Sequence, residues 1–235
     1  MLCGLTGVGK SSTLAALQPM IGGFADLPER RVLFDEVVAR RYRADPKAID
    51  RIERFTLTGR FRAEHPGGMA EILSHLAVRH DLAGTPLIFD GLRGEEEIRH
   101  AAPALPRARF AALLAPDFVR LLRLLRRADA FDQVAASPDG ATARRLPPDL
   151  DQLFAAAEIA ELDRRVAAGA LTTAELAAKL AIVREERLHY DPDRMMDALG
   201  AVDPARWLAI DTTRHDAPGV AALIADFLRT DPRRG

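Results

Sequence analysis

Residues 4–11 read Gly4-Leu5-Thr6-Gly7-Val8-Gly9-Lys10-Ser11, a G-x-x-x-x-G-K-S pattern. A short apolar run, residues 1–3, precedes it, and a helix-forming stretch, residues 11–17, follows. Glycines let a backbone bend until successive N–H groups point at one phosphate. A helix that starts at the end of the turn adds the positive end of its dipole. Lys10 would then reach the β- and γ-phosphates as a mobile charge, and the Ser11 hydroxyl would coordinate magnesium. The lysine is unusual in its own right. Of 33 lysines and arginines only Lys10, Lys47 and Lys179 are lysines. The expected phosphate-binding set is Gly4, Thr6, Gly7, Val8, Gly9, Lys10, Ser11 and Ser12, on a nucleoside triphosphate with Mg2+. A glycine-rich turn without a ligand is the bland alternative.

Outward from this loop, apolar runs alternate with helical patterns. Short strands are expected at residues 1–3, at 32–34 ending in Asp35, at 87–89 ending in Asp90, through "ARFAALLAP", and in "RWLAID". Helices are expected between them, with Asp117 as the cap of one and Thr172 as the N-cap of another. A loop over 133–148 and an extra helical block, about 133–200 in all, come before the last strand. Strand–helix alternation of this kind argues a single doubly wound α/β domain with a parallel sheet, helices on both faces. Ligands in such sheets lie beyond the carboxyl ends of the strands.

Composition narrows the classes. With 48% hydrophobic residues in 235, the chain can bury a sizeable core, and a net charge of −1 gives no footing for general nucleic-acid or membrane attraction. The single cysteine, Cys3, is expected as a buried thiol in a reducing compartment. With no leader and no long apolar run, a cytoplasmic protein is expected. The six histidines are scattered, without metal-ligand spacing.

The other strand ends offer charged groups. Asp90, in "LIFDGLRGEEE", can hold magnesium directly or through water, with Arg93 facing the same crevice; a surface Asp-Gly turn is the alternative. Asp35 can accept a proton from a hydroxyl acceptor or simply cap a helix. Arg54, Arg60 and Arg62 can hold an acceptor's phosphate or form a solvated helix face. Arg123, Arg126 and Arg127, opposite a leucine stripe in "RLLRLLRRADAFD", can neutralise a transferring phosphoryl group or line an amphipathic surface helix.

On "GLTGVGKSS", "FDGLR" and "LLRLLRRADAFD", the chain resembles the P-loop kinases of the nucleoside and nucleotide monophosphate kinase group. The "DGLR" element looks like the acceptor-phosphate turn of adenylate-kinase-like enzymes, which would give Arg93 that role. "VLFDEVVARRY" is similar to the stretch of dephospho-CoA kinases whose strand-end aspartate is the base, which would be Asp35. The resemblance covers residues 1–128 and 205–230. It implies a three-layer P-loop NTPase fold with a five-stranded parallel sheet in the order 2-3-1-4-5, ATP–Mg as donor and a helical lid-like insertion.

Two functions follow as expectations. One is an ATP-dependent kinase acting on a small-molecule acceptor, with Lys10, Asp35, Arg93, Arg123, Arg126 and Arg127 at the reacting groups and Ser11 and Asp90 on the metal. The other is an ATP-binding regulatory protein or NTPase without such an acceptor. A guanine switch is disfavoured, because the chain has no Asn and no Lys-x-Asp. The acceptor and the oligomeric state are left open.

Overall fold

The computed structural model describes residues 1–127, 146 and 150–230. The loop expected over 133–148 lies outside these residues except for Leu146, as does the part of the helical block before Leu150.

Strand β1, Leu2–Cys3, runs straight into the glycine loop, and α1, Lys10–Leu17, leaves it. After a turn through Gly22 and Gly23, both at positive φ, comes β2, Ala25–Asp26. The expected strand at 32–34 is not a strand. It forms α2, Arg30–Leu33, which passes directly into a π-helical segment, Phe34–Ala39. Its apolar residues explain the difference. A buried central strand would bury all three of its apolar residues, yet Val32 is 45% exposed while Leu33 and Phe34 are buried. The wider π turn then brings Val38, not the partly exposed Val37, onto the buried side.

Helix α3, Arg51–Glu64, starts at Asp50, whose side chain accepts from Glu53 N at 2.9 Å. Next come α4, Gly68–Ser74, then β3, Leu87–Ile88, and α5, Glu95–Ala104, with three glutamates in its first turn as the helix dipole favours. Strand β4, Phe110–Leu114, leads into α6, Asp117–Leu125, of which Asp117 is the first residue and Pro116 the cap. Helices α7, Ala156–Ala167, α8, Thr173–His189, and α9, Pro192–Gly200, follow. Thr172 caps α8 through a reciprocal box with Glu175. Strand β5, Trp207–Asp211, and α10, Ala217–Arg229, complete the order.

The expected single five-stranded sheet is corrected by the pairing. There are two small parallel sheets, one of three strands in the order β1-β4-β5 and one of two, β2-β3. β1, β2 and β3 are two residues each, too short for one continuous ladder. β1 also meets the chain beyond β3 rather than β3 itself. Leu2 N donates to Phe89 O at 2.7 Å and Gly4 N to Leu92 O at 2.9 Å. The two sheets are thereby joined through residues 89–92, Phe89 and the start of the "DGLR" turn, with a lone parallel bridge between Cys3 and Leu92 in place of a continuous ladder.

Apolar cores lie on both sides. One packs Leu33, Phe34, Met69, Phe89, Ile98, Met195 and Leu199 together. The other packs α1 and α10 against β1, β4 and β5 through Leu2, Leu17, Leu113, Ile210 and Ile224. A third joins α6, α7 and α8 through Leu121, Leu124, Leu162, Leu176 and Leu180, outside both sheets. Among the described residues no helix is long and apolar enough to cross a membrane.

Candidate functional site

The glycine loop adopts the backbone its residues were expected to allow. Gly4, Gly7 and Gly9 all have positive φ, at 135°, 87° and 101°. Close approach adds a second demand at two of them. A Cβ on Gly4 would overlap the Leu113 carbonyl oxygen, and one on Gly7 would lie 2.9 Å from Arg120 O. Gly9 is the N-cap of α1, so the free amides of that helix open beside Lys10 and Ser11. Ser11 and Ser12 are exposed and Val8 is buried in the core under α1.

Lys10 is turned inward. Its Nζ donates to Gly4 O at 2.6 Å and to Leu5 O at 3.1 Å, closing the loop on itself. Burial is the main reason its ammonium is pushed down to about 8, and Arg93 and Arg120 push the same way. Asp90 and Glu186 oppose them, which places both carboxylates in the electrostatic neighbourhood of Lys10.

Arg93 and Arg120 meet on one carboxylate, that of Glu186 from α8, which is fully buried. Arg93 Nη1 donates to Glu186 Oε1 at 2.8 Å, and Arg120 Nη2 donates to Glu186 Oε2. Thr6 N donates to the same carboxylate at 3.1 and 3.3 Å, and the Thr6 hydroxyl donates to its Oε1. Arg120 Nε reaches back to Thr6 O at 2.8 Å, and its Nη1 pairs with Asp117. One glutamate thus ties together the loop, the "DGLR" turn and α6. A cavity of about 280 Å³ opens beside this cluster, lined by Gly4, Leu5, Arg93, Arg120, Asp193 and Asp211 among others.

A second cluster surrounds Arg30. It donates to Gly91 O at 2.6 Å, to Glu97 Oε1 at 2.7 Å and to the Tyr190 hydroxyl at 2.8 Å. Burial alone would lower its pKa, but Glu97 and Tyr190 outweigh that and raise it. Glu97 also accepts from Arg93 N at 2.8 Å, fixing the turn that carries Arg93. Arg62 donates to His189 O at 3.0 Å and lies over the Tyr190 ring. Arg62 Nε and Arg93 Nε are buried and find no hydrogen-bond partner among the described residues.

Other expected site residues stand elsewhere. Asp35 lies in the π-helical segment, not at a strand end, and Arg54 Nη1 donates to it at 2.6 Å. Its expected place at the sheet edge, and with it the geometric ground for a base, is gone. Arg54 also lies over the Phe34 ring, and Arg60 is an exposed residue over the Tyr42 ring. Arg123 donates to Gly7 O at 3.2 Å, to Thr212 Oγ1 at 2.9 Å and to Thr212 O at 2.8 Å. It braces the loop against the segment after β5, and burial lowers its pKa against the pull of Asp211. Arg126 and Arg127 follow the last residue of α6 and are exposed. Among the described residues no three His, Cys, Asp or Glu side chains converge as a metal cage.

Two residues that sequence reasoning passed over, Arg120 and Glu186, carry the cluster. Each is a charge on the apolar stripe of its helix, Arg120 beside Leu121 and Leu124, Glu186 in step with Ile182 and Val183. A charged residue in an apolar register was the available signal.

No family model, no curated protein and no solved structure matches this chain.

Proposed function

We propose that the chain is a phosphotransferase that takes ATP with Mg2+ on the glycine loop and passes a phosphoryl group to a small-molecule acceptor. The observation that carries this reading is the loop itself. Three left-handed glycines, the last of them capping α1, hold a lysine among two arginines and two carboxylates. The loop amides and Lys10 bind the phosphates. Ser11 and Asp90 carry oxygen donors, as Mg2+ prefers, and a metal brought in on the phosphates needs only one or two protein ligands. When bound, that ion offsets charge on the transferring group.

Arg93 and Arg120 lie beside the loop and line the adjoining cavity. Their guanidinium groups suit an anionic acceptor, one bearing a phosphate or carboxylate. Arg93 keeps one buried N–H to give. Asp35 takes no part in this proposal, and phosphoryl transfer demands little of a base because its transition state is loose. The resemblance to the nucleoside and nucleotide monophosphate kinase group stays with the loop and the "DGLR" turn.

The test is ATP consumption screened against nucleosides, nucleotides, dephospho-CoA and other small alcohols, with Lys10→Ala as the blank. Acceptor-dependent ADP formation that the blank lacks supports a kinase. Acceptor-independent hydrolysis supports an ATP-binding regulator instead, and wild type equal to the blank throughout removes the reading.

A further inference from the structure

Two arginines beside the glycine loop and one amide of the loop are already engaged by one carboxylate. Glu186 accepts from Thr6 N within the loop, from the Thr6 hydroxyl, from Arg93 and from Arg120. Lys10 is folded onto the carbonyls of Gly4 and Leu5. A carboxylate and a phosphoryl group are both anions, and they want the same donors. Two anions crowded onto one set of donors repel, so the incoming one gains most where the resident one leaves.

We infer that Glu186 is a resident anion that seals the glycine loop, and that MgATP binds by displacing it as the end of α8 withdraws. This rests on the phosphate-loop reading of residues 4–11. The end of α8 is held by contacts a displacement would have to release. Arg187 Nε lies 3.1 Å from Asp117 Oδ2, Arg62 donates to His189 O, and Arg30 donates to the Tyr190 hydroxyl. None of these belongs to the body of α8, which stays rooted in its own apolar core. Asp117 joins both sides of the seal, since it also pairs with Arg120. Withdrawal frees Arg93 Nη1 and Arg120 Nη2 together, while Arg120 stays anchored on Thr6 O and Asp117, and both arginines line the cavity beside the loop.

A helper that merely positions the arginines would behave in the opposite way. Removing its charge would disorder them and weaken binding. Glu186→Gln separates the two roles, since it keeps the size of the side chain and one acceptor oxygen but gives up the charge and the second acceptor. Calorimetric titration with MgATP, and separately with inorganic tripolyphosphate, is expected to show Glu186→Gln binding both at least threefold tighter than wild type. Equal or weaker binding by a folded Glu186→Gln overturns the inference while wild-type binding leaves the phosphate-loop reading standing. Binding by neither protein overturns both.

Two further measurements hold if Glu186→Gln fails to fold. Arg187→Ala, which cuts the tie to Asp117 without touching the loop, is expected to tighten MgATP in the same direction. Hydrogen exchange on the wild-type protein is expected to show residues 184–190 losing protection when MgATP is added. Protection that is unchanged or increased there overturns the displacement.

Discussion

Lys10 Nζ lies 2.6 Å from Gly4 O, so the residue that would hold a phosphate instead ties off the first turn of its own loop. Opening that contact is part of any binding event. Lys10→Ala is expected to weaken MgATP at least tenfold, since a hydrogen bond to a charged group contributes about 1.5–3 kcal/mol. Lys10→Arg is not expected to restore it, because a planar fork does not fit a position shaped for a point charge. Titration calorimetry on the three proteins checks both.

The same lysine sets a pH dependence. Its ammonium falls from 10.5 in the unfolded chain to about 8 in the fold, chiefly through burial. The unfolded chain therefore binds more protons between these values. The cost of burying the charge is fully present below pH 8 and is relieved as pH rises through that value, so Lys10 adds to stability on going up toward 10.5. Binding runs the other way, because phosphate favours the charged form. MgATP affinity is expected to fall above about pH 8, with proton uptake on binding there, read from calorimetry in buffers of different ionisation heat.

Gly4 and Gly9 offer a graded test of the loop. Both sit at positive φ, but a Cβ on Gly4 would overlap the Leu113 carbonyl oxygen, whereas on Gly9 it would meet only Arg123 Nη1 at 3.9 Å. Gly9→Ala is expected to cost about 1–2 kcal/mol of backbone strain alone. Gly4→Ala should cost clearly more, because backbone must shift as well. Denaturant unfolding of the two variants gives the order.

Asp35 separates a base from a tether. As a general base its loss would slow turnover by about 10²-fold or more. Paired with Arg54 at 2.6 Å inside a helical segment, it is expected to leave turnover near wild type in Asp35→Asn and to cost about 1 kcal/mol of stability or less. Steady-state kinetics and thermal unfolding together decide it.

Glu97 is expected to be the costliest single carboxylate to remove for stability around the "DGLR" turn. It is buried, pairs with Arg30 at 2.7 Å, and accepts from Arg93 N. Glu97→Ala leaves Arg30 buried with an unmatched charge, at a cost of about 3–5 kcal/mol. A melting temperature lower by about 10 °C is the readout.

The elements written in strong local chemistry were legible in the sequence. The left-handed glycines and the Thr172 capping box each stand where their residue types indicated. The stretch at 32–34 was not, because three apolar residues in a row fit a strand and a helix equally well. Burial of Leu33, Phe34 and Val38 with Val32 and Val37 outside decided it for the helix. β2 was missed for the opposite reason, being two residues long and announced only by the Gly22–Gly23 turn. The single five-stranded sheet failed on lengths that periodicity does not report. Within the candidate site, the loop and Arg93 could be read directly. Arg120 and Glu186 could not be paired from sequence, since 66 residues separate them and only packing of α6 on α8 brings them together.

The self-contained core of α6, α7 and α8 gives the molecule a second seam for heat to find. The sheets and their flanking helices have apolar clusters of their own, and polar ties through Glu186, Arg123, Arg62 and Arg30 join the block to them, so loosening the block leaves those clusters in place. Calorimetry would then record a shoulder below the main transition, and mild proteolysis would trim the chain there first. A block that loosens early also opens often, and under the phosphate-loop proposal that opening would limit how fast a nucleotide leaves the loop.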